Sequence, residues 1–135
     1  MRPALATLSI LILALLLPQG APLQASEEHK PLEKQELSRF VHDLPYFLRW
    51  ARGQGFAFEV YPRPDALLAG PKADLSCNAL RSAGWEPERF AFLLCTTGAA
   101  ATMDEAACGR KLSSQEKALM QSHLPQLLDA YGTGP

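Results

Sequence analysis

The sequence predicts an all-α protein: a small helical domain of about four helices with a Pro-rich extended connector, preceded by a signal peptide. Three observations carry that prediction. Apolar residues recur at three- and four-residue intervals in several segments. Proline and glycine punctuate the chain where helices should start and stop. Only one short stretch reads as a strand, and it has no second strand to pair with.

The first element is the export segment. Leu8 to Leu17 contains no charge and one polar residue, Ser9, with Arg2 upstream. Pro18, Gly20 and Pro22 break the apolar run, and Leu23-Gln24-Ala25 offers a small residue for cleavage. This is the three-part layout of a secretory signal peptide. The apolar run is about half the ~20 residues that a membrane-spanning helix needs. Cleavage after Ala25 is expected, which leaves residues 26–135 as one domain and no stable membrane anchor. The expected location is periplasmic or secreted.

The charge balance limits the partners. The 135 residues carry 13 basic and 14 acidic side chains, a net charge of −1. That balance lacks the electrostatic footprint of a nucleic-acid binder, and no run of like charge marks an anionic membrane surface.

After a polar lead-in from Ser26 to Lys30, Leu37, Phe40, Val41, Leu44, Phe47, Leu48 and Ala51 line one face of a helix. Arg39, His42, Arg49 and Arg52 lie mostly off that stripe. Pro45 falls inside it, where proline deletes a backbone hydrogen bond. Either a kinked helix or two short helices follow, with Asp43 capping the second. Gly53 and Gly55 end the segment.

Phe56 to Tyr61 is rich in aromatic and β-branched residues and reads as an extended, partly buried connector. Pro62, Pro64, Gly70 and Pro71 continue it as a punctuated loop with a helical turn at residues 65–69. A short helix over 72–83 should face Leu75, Ala79, Leu80 and Ala83 inward and stop at Gly84. Pro87 opens the next helix, with Phe90, Leu93, Leu94, Thr97 and Ala101 on one side and its end at Cys108 or Gly109. The last helix starts at Ser113, because Ser113-Ser114-Gln115-Glu116 matches a capping box. Its expected buried face is Met120, Leu124, Leu127, Leu128 and Tyr131.

The three cysteines cannot all pair within one chain. Cys77 and Cys95 flank the turn at Gly84–Glu86 symmetrically, so they are the first choice for a disulfide. On one continuous helix Cys95 and Cys108 would stand about 20 Å apart. They could pair only if that helix breaks, and Cys108 is the candidate free thiol. Other pairings, or buried unpaired cysteines, are the alternatives.

Chemistry-bearing motifs are sparse. Ser114-Gln115-Glu116-Lys117 matches Ser-x-x-Lys, but the capping box already accounts for the register. His42, His123 and Cys108 lack zinc-ligand spacing. The expectation is no catalytic residue, no metal and no cofactor. An apolar groove between Trp50, Phe56, Phe58 and Tyr61 is the expected binding surface, for a protein or a small apolar ligand. The leading reading is an exported, non-catalytic binding or accessory protein of the bacterial periplasm. The alternatives are a small enzyme using Cys108 or Ser114, and a metal-handling protein.

Three segments taken together, Arg39–Ala51, Gly84–Phe90 and Leu112–Lys117 followed by the Leu124-Pro125 helix, resemble small exported α-helical proteins of proteobacteria whose activity is not established. The resemblance covers about half of the chain after residue 25. It implies a helical periplasmic protein and carries over no catalytic residues.

Overall fold

The first apolar stripe forms one unbroken helix, α1 (Lys34–Gly53), in a computed structural model that describes residues 30–104 and 111–132. Of the two alternatives at Pro45, the pair of short helices does not form, and the helix continues through the proline. A proline inside a helix costs about 3 kcal/mol. Here Phe40, Leu44, Phe47 and Leu48, on either side of Pro45, are all buried in one core. Each such side chain contributes roughly 1.5–3 kcal/mol, so their shared packing outweighs the lost bond. Asp43 therefore caps no second helix.

Four further helices follow: α2 (Pro64–Leu68), α3 (Ala73–Ser82), α4 (Pro87–Thr102) and α5 (Ser114–Ala130). Among the described residues there is no strand. Helices α1, α4 and α5 pack pairwise, while α2 lies on α3 and α4. The buried stripe of α1 matches the predicted one except for Val41, which is half-buried.

The core centres on Phe90. Its ring lies 5.1 Å from Phe40, 5.0 Å from Phe47 and 5.3 Å from Trp85, in tilted and edge-on arrangements that aromatic quadrupoles favour. Trp85 follows Gly84, whose φ of +86° ends α3 in the left-handed region. A Cβ at Gly84 would also sit 3.0 Å from Arg39 Nη2. The positive φ is what calls for glycine there, since the guanidinium end could shift aside.

Polar contacts cap α5 and join the elements. Ser113 Oγ accepts from the Glu116 N–H at 3.1 Å, and Glu116 Oε1 accepts from the Ser113 N–H at 3.0 Å, completing the predicted capping box. The other carboxylate oxygen of Glu116 accepts from the Leu32 N–H at 3.0 Å, tying the segment before α1 to α5. Arg89 on α4 donates twice to Glu36 on α1, at 2.8 and 2.6 Å. Buried Ser76 on α3 donates to the Leu67 carbonyl of α2.

Two expectations are corrected. The bridge between Cys77 and Cys95 is not formed. Cys77 is a free, half-buried thiol, and among the described residues no two cysteines are joined. Cys95 is disulfide-bonded. The cause is the rotation of α3. Ser76 and Leu80 face inward, while Leu75 is 43% exposed. Cys77 lies one residue, or about 100°, around the helix from Ser76. Equal height on the hairpin is not sufficient for a bridge; both thiols must also face the partner helix.

The second correction concerns α4, which ends at Thr102 rather than at Cys108 or Gly109. Met103 takes a left-handed conformation (φ 59°), and the Asp104 N–H reaches the Ala99 carbonyl. The 20 Å spacing of a continuous helix therefore does not apply beyond Thr102. Cys108 and Gly109 lie outside the described residues, as does the signal segment at 1–25. Within the described residues, no helix is long and apolar enough to cross a membrane.

Candidate functional surface

The connector leaves α1 through a left-handed Gly55 (φ +86°), and the Phe56 N–H returns to the Ala51 carbonyl at 3.0 Å. From Phe56 to Glu59 the chain runs without a bend, then bends at Val60 and Tyr61. Burial alternates along it. Phe56 and Phe58 are half-buried, whereas Ala57 and Glu59 are exposed. That period of two is the side-chain pattern of an extended chain on a packed surface.

The four residues expected to form one groove are placed as follows. Trp50 stacks on Phe47 at 5.7 Å and meets Phe56 at 6.1 Å. Phe58 lines a neighbouring open cleft of about 390 Å³ with Ala57, Glu59, Arg63, Asp65 and Ala66. Tyr61 turns the other way, against Tyr131 at 5.1 Å. Trp50 and Phe56 are thus brought together, and Phe58 opens onto the adjacent cleft.

Cations complete this surface, and the sequence reading did not include them. Arg52 lies 4.9 Å from the centre of the Phe58 ring, Lys72 Nζ 5.4 Å from Phe56, and Arg49 5.9 Å from Tyr46. Such placements exploit the negative faces of aromatic rings. Lys72 also donates to the Gln54 carbonyl at 2.7 Å, at the negative end of α1. Among the described residues, Arg49, Arg52 and Arg63 enter no ion pair. Tyr46 on α1 is 62% exposed and Val60 on the connector 50% exposed. The signal for the arginines was their position off the apolar stripe of α1. What each would cover depended on the path of the connector.

A second polar cluster joins α1 to the α3–α4 turn. Arg39 lies 4.2 Å from the Trp85 ring centre and donates to the Ala83 carbonyl at 2.8 Å. Asp43 Oδ2 accepts from Trp85 Nε1 at 2.9 Å, and its other oxygen meets His42 Nδ1 at 2.9 Å. Adjacent helical residues do not normally face each other, so this His42–Asp43 contact is a departure from expectation. Burial alone would raise the Asp43 pKa. Hydrogen bonds from His42 and Trp85 and the charge of Arg39 override it and hold the carboxyl below its ordinary range. The cluster clamps a turn rather than lining a cleft.

The other polar candidates are dispersed. Ser114 is exposed at the first position of α5, and among the described residues its side chain has no hydrogen-bond partner. His123 lies between the Leu119 carbonyl at 3.0 Å and Ser38 Oγ at 3.4 Å. No group of three or more His, Cys, Asp or Glu side chains among the described residues is arranged to hold a metal ion.

In comparisons with known proteins, no family profile matches the chain, and neither a curated protein nor a solved structure is significantly similar to it.

Proposed function

We propose that this is an exported, non-catalytic binding or accessory protein of the bacterial periplasm, and that its partner is a protein engaged by the Phe56–Tyr61 connector and the adjoining end of α1. The observation that carries this reading is the pairing of half-buried aromatic rings with ion-pair-free arginines around an open cleft. Aromatic and arginine side chains dominate the energetics of protein interfaces. Unpaired guanidiniums also supply charge-assisted hydrogen bonds when a partner brings carboxylates. Export rests on the three-part leader ending near Ala25.

The test is photo-crosslinking in intact cells, with the reactive group placed at Val60 and, as a control, at exposed Gln121 on α5. A single recurring protein adduct from Val60 and none from Gln121 is the expected result. Equal, heterogeneous labelling from both positions would count against a dedicated surface. Sequencing the amino terminus of the protein recovered from the cell envelope tests export. Ser26 is the expected first residue, and an intact Met1 would overturn it.

A further inference from the structure

We propose that Phe56–Glu59 accepts an added β-strand: an extended, carboxylate-bearing segment of the partner protein pairs with this stretch of backbone. The inference rests on the binding reading above and specifies how the partner is held.

Two independent observations lead to it. The first concerns the backbone. Phe56-Ala57-Phe58-Glu59-Val60-Tyr61 has the composition of a strand, and its first four residues, Phe56 to Glu59, have the alternating burial of one. Yet among the described residues the N–H and C=O groups of Ala57, Phe58, Glu59 and Val60 have no hydrogen-bond partner. Exposed strand-like backbone of this kind is a template for pairing with another chain. In strand addition, main-chain hydrogen bonds supply affinity and side-chain pockets supply choice. The cleft beside Ala57, Phe58 and Glu59 lies where the first of those pockets is needed.

The second observation concerns charge. Arg52 on one side of Phe58 and Arg63 in the cleft are free of ion pairs among the described residues. They favour carboxylates on the incoming segment, and guanidinium groups match carboxylates with two parallel hydrogen bonds. Glu59 and Asp65 share the cleft. They repel a carboxylate placed beside them and so fix the register in which the acidic residues lie against Arg52 and Arg63.

The probe is a displayed library of random heptapeptides, selected against the protein purified from its native compartment. Enriched sequences should alternate β-branched residues with Asp or Glu. For a selected peptide, R52E combined with R63E should weaken binding by about tenfold or more, since two exposed pairs become two repulsions. E59Q should tighten binding. Both arginines are exposed, and unchanged circular dichroism will confirm an intact fold. N-methylation of the peptide along one backbone edge should abolish binding, while methylation along the other edge should not. Amide exchange at Ala57–Glu59 should slow on binding. Enrichment without acidic residues, or indifference to methylation on both edges, overturns the proposal. So does binding of phosphatidylglycerol vesicles through the same arginines without peptide selection. Protection of these amides by self-association alone would assign the edge to a second copy and overturn it too. A specific adduct from Val60 in cells with a failed peptide selection would leave the binding reading standing and remove strand addition alone.

Discussion

Trp85 Nε1 donates to Asp43 Oδ2 at 2.9 Å, across 42 residues of chain, and so joins the middle of α1 to the turn between α3 and α4. The indole belongs to the aromatic core around Phe90, and its one polar atom is satisfied at the core's edge. Arg39 lies over the Trp85 ring, donates to the Ala83 carbonyl at the end of α3 and approaches Asp43 Oδ2 at 3.6 Å.

The pH dependence of this link has a definite sign. The folded pKa of Asp43 lies below its ordinary value of 3.8. The ionised carboxylate thus contributes stability that is fully present above that ordinary value. It is lost as pH falls through the lower folded value. D43N should lower stability near pH 7, and the gap from the native protein should close as pH drops below about 4. Urea unfolding at a series of pH values measures it. A gap that is constant down to acid pH would show that the carboxylate charge plays no part.

Glu116 should be more costly to replace than an ordinary capping residue. It is buried, and its two oxygens serve Ser113 and Leu32 separately. E116A leaves both N–H groups without their partner. Loss of the cap costs about 1 kcal/mol, and a buried unsatisfied donor adds about 1–3 kcal/mol. E116Q keeps one carbonyl acceptor and should fall between the two proteins. Chemical denaturation ranks the three variants. The same denatured baseline and m-value will show whether the loss is one of stability alone.

The thiol chemistry gives a separate prediction. Iodoacetamide applied to the unfolded, unreduced protein should label Cys77 and spare Cys95, since Cys77 is free and Cys95 is bonded. After reduction all three cysteines should be labelled. Label on Cys95 before reduction would contradict the arrangement. C77A should be well tolerated, because no covalent link depends on that thiol.

The helices were legible in the sequence because each stripe belongs to one helix and is fixed by local spacing. The stripe of α1, the capping box at Ser113 and the glycine stop at Gly84 all needed only neighbours within a turn or two. What was not legible depended on how helices rotate against one another. Whether Cys77 or Ser76 faces inward is a rotation of about 100° about the α3 axis, and the periodic residues Leu75 and Leu80 left that rotation ambiguous. Pro45 left one helix or two open for a related reason: local propensity argued for a break, and tertiary burial on both sides decided for one helix. The aromatic stretch was singled out by residue type. Its arginines come from α1 and from the loop before α2, so only the path of the connector brings them together.

The buried hydroxyl pair of Thr97 and Tyr131 should respond asymmetrically to removal of either partner. Their oxygens lie 2.6 Å apart. Thr97 Oγ1 also reaches the Leu93 carbonyl at 2.7 Å, whereas the other contact of the Tyr131 hydroxyl, to the Leu94 carbonyl, is 3.4 Å. Y131F therefore leaves Thr97 satisfied and should cost about 0.5–1.5 kcal/mol, a typical net hydrogen bond. T97V leaves a buried phenol with one long contact and should cost about 1–3 kcal/mol. Burial also raises the Tyr131 pKa, despite the contact with Thr97 that opposes it. The unfolded chain ionises near pH 10 while the folded chain keeps its proton, so this tyrosine withdraws stability as pH rises past that value. Y131F should accordingly lose part of its deficit between pH 10 and 11, measured by thermal unfolding against the native protein. Equal costs for the two variants at pH 7 would mean that Thr97 is not held by Leu93 as described.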